Sequence, residues 1–123
     1  YLIVGEYNTA HELILLGYEK NPKAKLIQYE IELRNLEVAY FYLTSQFDMA
    51  ITLCNRNIKF LRTRDTTIKN SNYPFFYLLT KAIYEQRLHG KSFSKRLRIA
   101  YDRYNRGSFG VCGKLLQLMI SHR

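Results

Sequence analysis

The segment that decides the fold is GEYNTAHELILLGYEKNP, which runs from residue 5 to residue 22. Its apolar or small side chains recur at the i, i+3, i+4, i+7 and i+8 positions of one helix face: Ala10, Leu13, Ile14, Gly17 and Tyr18. Asn8 is a suitable N-cap, and Pro22 ends the helix because the residue before a proline avoids the α region. The segment therefore predicts a helix that buries one face.

The same helical spacing continues along the rest of the chain. It predicts a second helix over residues 25–44, a third over 47–61, a fourth that begins near Pro74, a fifth from about residue 93 to 106 and a last apolar segment over 115–120. Residues 62–72 are mostly polar and predict a loop. Because no segment alternates with a two-residue period, we expect an all-α fold without a sheet.

Charge is distributed unevenly over the 123 residues, whose formal net charge is +9. Residues 1–54 carry four Lys or Arg against seven acids, whereas residues 55–123 carry fifteen against three. The predicted third and fifth helices hold a basic patch made of Arg56, Lys59, Lys95, Arg96, Arg98, Arg103 and Arg106. Such a patch is a solvated face, a surface for an acidic protein or, less favoured, a surface for nucleic acid.

Few residues suggest chemistry. Two cysteines are too few for a disulfide framework, and no Cys/His spacing indicates a metal site. The Gly90-Lys91-Ser92 segment lacks the earlier glycine of a phosphate-binding loop, because Glu85 stands at that position. No signal peptide or membrane span is evident. We therefore expect a cytoplasmic, non-enzymatic protein without a cofactor, metal or membrane partner.

A short motif is repeated within the chain. GEYNTA at residues 5–10 and SQFDMA at residues 45–50 share a small residue, an aromatic residue two positions later and an alanine three positions after that. The two copies lie 40 residues apart, and a weaker third copy is GKSF at residues 90–93. In both full copies an apolar helical stretch follows, which indicates a repeated two-helix unit.

This motif resembles the tetratricopeptide repeat (TPR), in which antiparallel helix pairs stack into a right-handed superhelix. The first copy also matches the family at Ile14, Gly17 and Pro22, whereas the second departs at Cys54, Asn57 and Arg62. The resemblance implies one repeat domain over residues 1–123, a piece of a longer chain, with units at about 1–23, 24–64 and 73–106 and a C-terminal helix at 113–123. In its long repeat period the chain is similar to the peptide-sensing domains of Rap/Rgg/PlcR-type bacterial regulators.

The resemblance also implies a binding surface. In the family the first helix of each pair lines a concave groove, which here corresponds to Asn35, Ala39, Tyr42, Tyr77, Lys81 and Tyr84. A non-catalytic module that binds a peptide or protein in this groove is the leading expectation, with self-association through exposed repeat ends. The alternatives are a peptide-sensing and oligomerisation domain of a bacterial transcription regulator, and nucleic-acid binding through the basic patch.

Overall fold

A computed structural model describes Leu2 and residues 5–21, 27–63, 73–105 and 111–122. Within these ranges the fold is all-α, as the periodicity predicts, and no strand is present. The helices are α1 (Tyr7–Lys20), α2 (Ile27–Leu43), α3 (Phe47–Arg62), α4 (Tyr73–His89), α5 (Lys95–Asn105) and α6 (Val111–Ser121). The predicted loop at 62–72 is wrong at its start, because Arg62 is the last residue of α3. Residues 64–72 and Arg106 lie outside the described residues.

The repeated motif has a common backbone conformation. Gly5, Ser45 and Gly90 stand at the small position of the three copies, with left-handed φ values of 81°, 64° and 66°. In the first two copies the helix begins two residues later, and the alanine that both copies share, Ala10 or Ala50, is buried in the core. The third copy differs, because α5 begins only at Lys95.

Two expectations for α1 are wrong. Asn8 is not the N-cap, because the helix already begins at Tyr7 and the cap residue is Glu6, which makes no side-chain capping bond. Leu13 is not buried: 47% of its surface is exposed, whereas Ala10, Ile14 and Gly17 face the interior. Since α1 packs against α2 in the described structure, only a narrow part of its apolar stripe is covered.

A polar link between α2 and α3 explains one departure from the repeat pattern. Asn57 is fully buried, and its Oδ1 accepts a hydrogen bond of 2.7 Å from Arg34 Nη1. Arg34 also forms an ion pair with Glu30, one helical turn earlier, and its guanidinium lies 3.8 Å from the ring centroid of Phe60. The buried amide therefore takes the place of the small residue expected in the repeat.

The position of α6 distinguishes this fold from a simple array. Helices α1 to α5 pack mainly on their neighbours in sequence, but α6 contacts α5, α4 and also α2. In a solenoid each unit contacts only the adjacent units. Contact with α2 therefore means that α6 folds back across the face that α2 and α4 share.

Candidate functional site

Most of the residues predicted to line a groove are buried. Asn35, Ala39, Tyr42 and Tyr77 are buried, whereas Lys81 and Tyr84 remain partly accessible. The expectation of an open groove lined by all six therefore does not hold. The physical reason is α6, which packs on α2 and α4 and fills the space between them.

Helix α6 occupies the groove through one apolar face. Cys112, Leu115, Leu116 and Met119 follow the i, i+3, i+4, i+7 spacing, and the last three are almost fully buried. Asn35 Nδ2 lies 3.6 Å from Cys112 Sγ, and Thr80 Oγ1 lies 3.7 Å from Met119 Sδ. The groove thus holds an amphipathic helix with two weak polar contacts to sulfur.

Two polar atoms in this region lack hydrogen-bond partners within the described residues. They are Asn35 Oδ1 and the hydroxyl of Tyr77, both buried. Burial raises the pKa of Tyr77 far above its ordinary value of 10.0, and a smaller effect of the same sign comes from nearby Cys54. Each buried polar atom without a partner costs about 1–3 kcal/mol, so α6 is an imperfect ligand for this groove.

An aromatic pocket remains open where the groove reaches the C-terminal end of α6. It has a volume of about 150 Å³ and is lined by Tyr42, Phe47, Tyr84, Arg87 and Leu88. The centroid of the Phe47 ring lies 5.0 Å from that of Tyr42 and 5.9 Å from that of Tyr84. These separations are typical of interacting aromatic pairs, so the rings hold one another in position.

Arg87 supplies the positive charge of the pocket. Its Nη1 donates a 2.9 Å hydrogen bond to the Met119 carbonyl oxygen. Burial raises the pKa of Tyr42, and Arg87 opposes that shift. Among the described residues that line the pocket, none is acidic.

His122 closes one side of this region. Its ring centroid lies 6.1 Å from Tyr42 and 6.0 Å from Phe47, and its Nε2 is 2.9 Å from Ser45 Oγ. Partial burial lowers the pKa of His122 below its ordinary value of 6.5, and the charge of Arg87 lowers it further. The imidazole is therefore neutral near pH 7, which leaves Arg87 as the cation of the site.

The basic patch is exposed but divided between two helices. Arg56 and Lys59 lie on α3, and Lys95, Arg96, Arg98 and Arg103 lie on α5, all exposed, while Arg106 falls outside the described residues. Both helices pack against α4. Lys81 of α4 donates a 2.8 Å hydrogen bond to Asn55 Oδ1 of α3, so this predicted groove residue instead links two helices.

The thiols and acids show no assembled reactive centre in the described part of the chain. No group of three His, Cys, Asp or Glu residues there could hold a metal ion. Burial raises the pKa of the Cys54 thiol to about 12, and burial also raises that of Cys112. Both thiols therefore stay protonated near neutral pH, a poor state for a nucleophile.

Comparison of the chain with protein-family models, curated proteins and solved structures finds no match. None of the described helices is both long and apolar enough to cross a membrane. The sequence analysis missed Arg87, Leu88 and His122, which complete the pocket around the predicted Tyr42 and Tyr84. The exposed apolar Leu88 between polar residues at the end of α4 was the available signal.

Proposed function

We propose that this chain is a non-catalytic, TPR-like module that binds an amphipathic helical segment of a partner protein in the groove between α2 and α4. The observation that carries the proposal is the occupation of this groove by α6 through Cys112, Leu115, Leu116 and Met119. Insertion of an amphipathic helix through i, i+3, i+4 and i+7 anchors is a common mode of protein recognition. In this proposal α6 is the internal occupant that a partner replaces.

The buried polar atoms without partners favour replacement of α6 by a partner helix and indicate which side chain that helix should carry. Asn35 Oδ1 accepts hydrogen bonds and the Tyr77 hydroxyl can donate one, yet both are buried without partners in the described structure. On α6, the weakly hydrogen-bonding sulfur of Cys112 lies 3.6 Å from Asn35 Nδ2. A partner helix with an asparagine or glutamine at this position offers both a donor and an acceptor.

Binding of labelled peptides tests the proposal. We expect a peptide of residues 111–122 with Cys112 replaced by Gln to bind the intact chain more tightly than the natural sequence, and a scrambled peptide of equal composition not to bind. In the chain, Leu116→Ala removes a buried anchor of α6. The loss weakens the packing of α6 on α2 and α4 by about 2–5 kcal/mol, so the affinity for the peptide should increase. Fluorescence anisotropy measures the affinities.

Leu53→Ala is the matched control for Leu116→Ala. Leu53 is also buried, but it lies on α3, which packs mainly against α2 and α4. It should lower the stability of the chain without increasing peptide affinity. Equal peptide binding by the two variants, or binding of the scrambled peptide, would show non-specific capture by a loosened core and contradict the proposal.

Nucleic-acid binding is the second candidate. It is favoured by the exposure of four basic side chains on α5, against the single acid Asp102 on that helix. Affinity for generic DNA over a salt series tests it, because each phosphate contact makes the slope of log K against log salt more negative by about 0.9. A steep slope supports this candidate, and no binding at low salt excludes it.

We also propose a cytoplasmic location. The support is that Cys54 and Cys112 are free thiols, as is usual in a reducing compartment. Fractionation of cells that express the natural gene, with a thiol-trapping reagent present during lysis, tests both the location and the reduced state. Recovery of the protein outside the cytoplasm contradicts this proposal without bearing on the peptide-binding test.

A further inference from the structure

The aromatic pocket is a separate site from the groove, because it is open while α6 is in place. Its wall combines the rings of Tyr42, Phe47 and Tyr84 with the guanidinium of Arg87, and Leu88, 55% exposed, supplies an accessible apolar part of that wall. Helix displacement is therefore not required for a ligand to reach it.

The size of the pocket restricts its ligand. A volume of about 150 Å³ is well below that of a drug-sized site. An engineered apolar cavity of about 150 Å³ in another protein binds benzene. The pocket therefore has room for one six-membered aromatic ring, and its three aromatic rings provide faces and edges for that ring to contact.

The charge of the pocket restricts the ligand further. Arg87 is held by its hydrogen bond to the Met119 carbonyl. A guanidinium has five donor hydrogens, more than this contact requires, and it binds carboxylates through strong charge-assisted hydrogen bonds. None of the described lining residues is a carboxylate that would compete with the ligand for Arg87.

We propose that the pocket formed by Tyr42, Phe47, Tyr84, Arg87 and Leu88 binds a small aromatic carboxylate, with the ring against the aromatic side chains and the carboxylate on Arg87. The ring excludes water from the apolar wall, and the guanidinium selects an anion over a cation. The site is thus specific for ring size and charge together rather than for apolar molecules in general.

The probe is 4-fluorophenylacetate, observed by fluorine NMR with the intact chain, which contains no fluorine. The matched ligand is 4-fluorobenzylamine, which carries the same ring but a positive charge. We expect the acid to bind roughly tenfold or more tightly than the amine, since the guanidinium attracts one and repels the other. This comparison uses the unchanged protein and so does not depend on the folding of any variant.

Arg87→Gln should weaken binding of the acid roughly tenfold, because the amide keeps a donor but loses the charge. Arg56→Gln removes the same charge from the exposed surface of α3 and should leave the affinity within about twofold, since exposed distant charges are screened. The proposal is overturned if acid and amine bind equally well, or if Arg87→Gln and Arg56→Gln lose the same affinity for the acid. It is also overturned if the acid gives no fluorine response at about 10 mM, a concentration that would nearly saturate a site with a Kd of about 1 mM.

Discussion

Ser45 holds a backbone conformation that is costly for any residue with a side chain. Its φ is 64°, the left-handed value that glycine adopts at the equivalent positions 5 and 90. We expect Ser45→Gly to stabilise the fold by about 0.5–1 kcal/mol, because glycine removes this strain. The exposed hydrogen bond to His122 is lost at little cost. Urea denaturation measures the gain.

Ser45→Ala is the matched control for that prediction. It removes the same hydroxyl but keeps a Cβ at positive φ, so it should not be more stable than the natural protein. If Ser45→Ala stabilised the chain as much as Ser45→Gly, the hydroxyl and not the backbone would be the source of the effect.

Gly17 sets the distance between α1 and α2. A Cβ built at this position would lie 2.6 Å from Leu33 Cδ2 and 3.2 Å from the Tyr29 hydroxyl. We expect Gly17→Ala to destabilise the fold by about 1 kcal/mol, because overpacking costs about 1–3 kcal/mol while alanine regains about 1 kcal/mol of helix propensity. A double-mutant cycle with Leu33→Ala should show positive coupling, since the shorter side chain makes room. If the free-energy changes of the two substitutions simply add, position 17 and Leu33 are not in close contact.

His122 reports the electrostatics of the pocket. Its pKa in the fold is lowered by burial and by Arg87, so the folded state binds the proton less well than the unfolded state. Its contribution to stability is therefore complete above about pH 6.5 and decreases as the pH falls through the lowered value. We expect an NMR titration midpoint below 6.5, and a higher midpoint in Arg87→Gln. An unchanged midpoint in that variant would show that the charge of Arg87 does not lower the pKa of His122.

The pairing of α2 with α3 depends on the buried contact between Arg34 and Asn57. Arg34→Met keeps an unbranched side chain but loses the guanidinium that lies over Phe60, and it leaves the buried Glu30 and Asn57 Oδ1 without their donor. Asn57 Nδ2 already lacks a partner within the described residues. We expect a loss of about 2–3 kcal/mol in the free energy of unfolding, because a buried amide is left unsatisfied. The exposed Arg56→Met should change stability by less than about 0.5 kcal/mol.

The same elements indicate what the sequence could predict. Periodicity identified the helices, and the motif placed Gly5, Ser45, Ala10 and Ala50 at equivalent structural positions. Periodicity did not predict which helices α6 packs against, because an apolar stripe shows which face is buried but not which helix covers it. Asn35 and Tyr77 therefore looked like groove residues and are instead under α6, within the core.

The pocket was harder to predict than the helices for a related reason. Tyr42, Tyr84 and Arg87 lie on recognisable helices, but His122 joins them only because α6 returns across α2 and α4. Arg87 follows Tyr84 by three residues on α4, but Tyr42, Tyr84 and His122 are far apart in sequence, and no spacing rule connects them. Long-range packing creates this site.

At the scale of the whole molecule, net charge opposes folding. The formal charge is +9, and residues 55–123 hold fifteen Lys or Arg against three acids. Self-repulsion destabilises a compact chain, and salt screens it. We therefore expect the melting temperature to rise as sodium chloride is increased from about 10 mM to 150 mM, because the Debye length falls from about 30 Å to 8 Å over this range.

Lys95→Glu should raise stability at low salt by about 0.3–1 kcal/mol and reduce this salt dependence, since α5 has no acid in its first turn to complement the helix dipole. Glu6→Lys, at the N-cap of α1, makes the opposite change in the acidic half and should lower stability at low salt. A melting temperature that falls with added salt would mean that attraction between the two halves of the chain outweighs repulsion within the basic one.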